Sequence, residues 1–118
     1  MATVTIMTGV EFTDEMSDRF LKEAGEAIEG AFKLGPNMSE LFLCQLPKHK
    51  HTPMGDGRIT FFIYTAPKKI EYRREAVHAL QSLVRGYFPD KDIDSVVIIK
   101  EHEDEFVGFK GNLKSDLH

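Results

Sequence analysis

Two stretches of this chain, ATVTIMT from residue 2 and RITFFIY from residue 58, lie 56 residues apart, and each opens the same succession of patterns. In the first half, Thr3-Val4-Thr5-Ile6-Met7 alternates with period two and is rich in β-branched residues, which predicts a strand over 2–8. A strand that begins at residue 2 draws the chain's own amino end into a sheet, although most termini fray. Gly9 ends the strand. Thr13 stands where an N-cap would, and Asp14 and Glu15 follow in the first turn, where negative charge is favoured. Phe20, Ala24, Ala27, Ile28 and Ala31 recur at helical spacing until KLGP breaks the pattern. ELFLCQL (Glu40 to Leu46) is a nearly continuous apolar run, which predicts a buried strand closed by Pro47.

The second half repeats the order. After the polar, turn-rich KHKHTPMGDG comes the strand RITFFIY, stopped by Pro67. A helix is predicted over 69–88, with Val77, Leu80, Leu83, Val84 and Tyr87 on its apolar side and Pro89 at its end. SVVIIK is a fourth strand, and EFVGFKGN suggests one more short strand or a bent edge segment. The 56-residue shift also lays AIEGAF on LVRGYF and sets Arg58 against Ala2, while a shift of 55 lays SELFLC on DSVVII. The pattern predicts one domain, 1–118, made of pseudo-repeats 1–55 and 56–118. Strands within each βαβ unit must be parallel, joined by a right-handed crossover. Two topologies satisfy this order. One is the ferredoxin-like sandwich. The other is an α/β (α+β) arrangement in which two βαβ units share one four-stranded mixed sheet with two helices on one face. Both leave a sheet face needing further cover.

Composition narrows the function classes. The chain has 118 residues, 42% of them hydrophobic, which suits a single small core. A net charge of −4 argues against a nucleic-acid binder, whose contact face is normally basic. No apolar run approaches the roughly 20 residues of a membrane span. MATVTIMTGVEF has no basic segment leading into an apolar stretch, so a cytoplasmic protein without a secretory leader is expected. The single cysteine, Cys44, reads as a buried inert thiol inside an apolar strand. His49 and His51 are two apart but have no cysteine or acidic partner close by, so they read as part of a basic loop; no metal and no cofactor is expected. His78 reads as an exposed or partly packed helix residue, and KEHEDE as a solvated edge.

The tail DSVVIIKEHEDEFVGFKGN resembles the C-terminal segment of the tautomerase superfamily, in which an Asp-x-Val strand runs into an acidic stretch and then an aromatic–glycine tail. Val107-Gly108-Phe109 matches the Val-Gly-aromatic step of the macrophage migration inhibitory factor branch, and Phe106 to Gly111 loosely matches the tail of the fused, double-length members. APKKIEYRREAVHAL is similar to the family's second-helix motif through Glu71, Arg73 and Arg74, with Lys68 in place of an arginine.

This resemblance implies the second topology, a homotrimer, and an N-terminal proline acting as acid–base catalyst after removal of the start methionine. It also implies a cation at the second helix that holds a substrate carboxylate. Here residue 2 is Ala2, not proline. The expected activity is therefore at most weak keto–enol proton transfer on small carboxylic acids, with Ala2 at the catalytic position. Lys68, Lys69 and Lys33 are the candidate carboxylate ligands, and Phe106 and Phe109 the candidate apolar wall or intersubunit anchor. The alternatives are a non-catalytic homotrimeric binding or scaffold protein and, on the ferredoxin-like topology, a small-molecule-binding domain.

Overall fold

Alternation in the first strand, β1 (Ala2–Thr8), sends Ala2, Val4, Ile6 and Thr8 to one side, where all four are buried, and leaves Thr3 and Met7 exposed on the other. The computed structural model describes residues 1–117. The remaining elements are α1 (Asp14–Ala31), β2 (Ser39–Gln45), β3 (Arg58–Thr65), α2 (Ile70–Tyr87) and β4 (Asp94–Glu101). A small hairpin of β5 (Gly108–Phe109) and β6 (Asn112–Leu113) follows, flanked by two 3₁₀ turns. The main sheet has the order β2-β1-β3-β4. β1 pairs parallel with β2, β3 parallel with β4, and the two units meet through the antiparallel β1–β3 pair. The parallel strands of each unit are direct neighbours, so the split arrangement of the ferredoxin-like sandwich is excluded.

Both helices lie on the face to which β1 sends its buried residues. Phe20, Ala24, Ile28 and Ala31 of α1, and Ala76, Leu80 and Val84 of α2, close over Val4, Ile6, Ile59, Phe61 and Ile63. Thr13 caps α1 by accepting the Met16 amide at 3.1 Å, whereas α2 begins after Lys69 with no side-chain cap. Phe20 is the hub of an aromatic cluster, 5.0 Å from Phe12 and 5.1 Å from Tyr87 between ring centroids. The Tyr87 hydroxyl accepts from Arg19 Nε and donates to Glu23, tying α2 to α1. Burial and the Glu23 carboxylate hold that phenol above its ordinary pKa, against the pull of Arg19.

Three expectations are corrected. Cys44 is exposed, because β2 is an edge strand and residue 44 points to the uncovered sheet face. Val77 is 44% exposed: the buried stripe of α2 runs Ala76, Leu80, Val84, and the next residue along turns about 100° away from it. Arg58 is not the counterpart of Ala2. Ala2 faces the helices and Arg58 the opposite side, so the position in β3 that keeps Ala2's face is Ile59. A one-residue slip in a strand exchanges its faces.

The uncovered face carries Met7, Phe42, Tyr64 and Ile98, each at least 39% exposed. Strands β3 and β4 thus present apolar side chains on both sides, as expected. Beyond β4, residues 104–117 fold mainly on themselves, with the Lys114 amide donating to the Val107 carbonyl at 2.7 Å. The molecule measures 48 × 29 × 24 Å, and its radius of gyration of 15.2 Å exceeds the about 13.5 Å usual for this length. Among the described residues no helix is long and apolar enough to cross a membrane.

Candidate functional site

The amino end is held on both sides. Ala2 lies between Ser39 of β2 and Thr65 of β3 in the sheet register, and its amide donates to the Met38 carbonyl at 2.9 Å. Its side chain is 1% exposed, sealed against the helices. Met1 extends one residue further and is half exposed. The α-amine of Met1 is held below its ordinary value of 8.0, first by partial burial and then by the positive charges of Lys114 and Lys68; Asp104 opposes them. The start of β1 thus presents an amine held below its ordinary value, within the electrostatic reach of Lys114 and Lys68.

Lys68 reaches this position because β3 runs antiparallel to β1 and delivers the next loop beside the chain start. Glu101, at the end of β4, fixes that loop: its Oε2 accepts the Lys68 amide at 2.7 Å and lies 3.9 Å from Arg73 Nε. The Lys68 ammonium sits 5.7 Å from the centroid of Phe32, at the end of α1. Lys114 comes from the tail and stands 4.0 Å from Asp104 Oδ1. Next to Ala2, the Thr65 hydroxyl is buried without a hydrogen-bond partner, as is Nδ1 of His102, whose amide donates to the Thr65 carbonyl.

The other sequence candidates are placed differently. Lys33 and Lys69 flank one ring, with ammonium groups 5.5 and 5.6 Å from the centroid of Tyr72. Lys33 also pairs with Glu75 at 3.1 Å, joining the end of α1 to α2. Phe106 is 74% exposed, and Phe109 is half exposed beneath Lys110. Lys114 is the cation that the sequence reading omitted. Nothing local marks it, because its charge acts on the amine only once the tail has folded back. Among the described residues no group of three metal-ligating side chains converges.

No family model and no curated protein sequence matches the chain. Solved structures do. Pt0534 inactivated by 2-oxo-3-pentynoate superposes with a TM-score of 0.86 at 14% identity, over 98% of this chain and 99% of that one. Malonate semialdehyde decarboxylase gives 0.81 at 19% identity, over 98% and 99%. Native fused 4-OT gives 0.80 at 15% identity, over 98% of each chain. The chain has the tautomerase-superfamily fold. With the tautomerase fold in place, the arrangement of β1 beside the β3–α2 loop follows from topology.

Proposed function

We propose that the protein transfers a proton slowly between keto and enol forms of small carboxylic acids, with its N-terminal amine as base and Lys68 as carboxylate anchor. The observation that carries this is the Met1 amine, lowered by burial and flanked by Lys68 and Lys114. Lowering the pKa of this amine enlarges the unprotonated fraction that can accept a proton. The cations fix the acid group and stabilise the enolate charge as it develops. Removal of Met1 would pass the role to the amine of Ala2. Either way the base is a primary amine, without a proline ring's fixed geometry, which suits a low rate. Lys33 and Lys69 form an outer basic rim around Tyr72.

The acting unit in this proposal is a cytoplasmic homotrimer. Its apolar open sheet face needs a partner, and three fused 4-OT structures of this fold are trimers. Phe106 and Phe109 would then anchor on a neighbouring subunit. The second reading, a trimer that binds small carboxylates without turning them over, is favoured by the absence of proline at residue 2.

Ketonisation of phenylenolpyruvate, followed by ultraviolet absorbance, tests the proposal, with mass spectrometry fixing whether Met1 is present. We expect a slow but saturable rate, at least about tenfold lower in Lys68→Ala, and higher in Ala2→Pro once Met1 is removed. No rate in either the parent or that proline variant, with the fold intact, removes the catalytic reading. Light scattering at the monomer mass removes the trimer.

A further inference from the structure

At the far end of β1, about 20 Å from the chain start, a cleft of about 640 Å³ opens between the Thr8–Glu11 segment, the start of β3 and the loop over Lys48–Asp56. That volume is of the size that holds small molecules. Its lining includes the apolar Val10, Leu46 and Met54 and the basic Lys48, His49, His51 and Arg58.

Arg58 is the informative residue. Its Nη2 makes only a long contact of 3.4 Å with Asp94 Oδ2, and its Nε is buried with no acceptor. The Arg58 side chain is 39% exposed and its one ion pair is long, so the outer Nη donors of its fork are the ones able to meet a ligand. The acids nearby are few. Asp56 already accepts the Asp92 amide at 2.7 Å, and Glu11 is the other carboxylate on the lining. His51 is fixed in place: its Nδ1 donates to the Thr52 carbonyl at 3.2 Å, and its ring lies where any side chain at Gly9 would collide. Gly57, at φ +137°, makes a comparable close approach to Val10.

We propose that this cleft is a second binding site, for a small monocarboxylate with an apolar body, in which the outer Nη donors of Arg58 hold the carboxylate. A planar carboxylate matches the guanidinium fork. The body meets the apolar lining residues Val10, Leu46 and Met54. A phosphate dianion fits less well, because Glu11 and Asp56 are also on the lining and the apolar Val10, Leu46 and Met54 give it nothing to rest on. The site uses none of the groups at the chain start and stands or falls separately from the proton-transfer proposal.

The test is a titration of the ¹⁵N-labelled full chain by NMR with benzoate, its neutral analogue benzamide, and inorganic phosphate. Benzoate should shift the amides of Gly9, His51 and Gly57 in a saturable way, with benzamide and phosphate at least about tenfold weaker. Arg58→Gln should weaken benzoate at least about tenfold, and Asp94→Asn, which frees the guanidinium, should tighten it. Lys68→Ala should leave these shifts unchanged. Shifts confined to residues beside Met1 and Lys68, equal binding of benzamide, phosphate binding as tightly as benzoate, or benzoate affinity unaltered by both the Arg58 and Asp94 variants would each overturn the proposal.

Discussion

Replacing Glu101 by alanine removes the oxygen that the Lys68 amide reaches at 2.7 Å and the carboxylate 3.9 Å from Arg73 Nε. A hydrogen bond to a charged acceptor contributes about 1.5–3 kcal/mol. This carboxylate is partly open to water, so the low end applies. The longer Arg73 contact adds at most about 0.5 kcal/mol. Glu101→Ala should therefore cost about 2 kcal/mol, and Glu101→Gln, which keeps a neutral acceptor, about 1 kcal/mol. In a domain of this size those losses lower Tm by about 8 °C and about 4 °C. Thermal unfolding reads the totals. Hydrogen exchange at the Lys68 amide reads the bond itself and should accelerate most in the alanine variant. If that amide exchanges at the parent rate in Glu101→Ala, or if glutamine is as damaging as alanine, Glu101 is not what holds the loop.

Thr13→Ala should cost about 1 kcal/mol in urea unfolding, and Thr13→Ser almost nothing, because serine can still accept the Met16 amide. The Met1 amine sets a pH dependence with a definite sign. Its folded pKa is depressed below 8.0, so its contribution to stability is complete above that pH and is lost as pH falls through the folded value. Lys114→Ala removes one cause of the depression, which should move the folded pKa up and flatten this part of a Tm-against-pH profile; an unchanged profile would place Lys114 away from the amine.

The fold was legible in the sequence wherever periodicity had one cause. Alternation at Thr3 to Met7 located β1 because one face is buried and the other is not. Thr13 was legible because capping is local. Cys44 misled, since an apolar run looks the same in a central strand and in an edge strand with an uncovered face. Val77 misled because it adjoins the buried stripe by one residue. The candidate site was less legible. Lys68 follows from the antiparallel β1–β3 pair, but Lys114 and the chain start are brought together by a tail that returns from over a hundred residues away. Arg58 and His51 meet in a cleft roofed by a loop whose path no periodicity describes.

The connections ahead of the two helices differ by a single residue: 9–13 precedes α1 and 66–69 precedes α2. The longer one places a threonine hydroxyl on the Met16 amide in the first turn of its helix; the shorter one leaves Lys69 there with no side-chain oxygen to offer. Two similar halves thereby acquire unlike heads. One head is quenched by its own side chain, and its neighbouring cleft recognises ligands through Arg58. The other begins without a side-chain cap, among lysines and towards the chain's own amine. A substitution that sharpens one head has no counterpart to disturb at the other, so each end of the sheet can specialise alone while the shared core stays fixed.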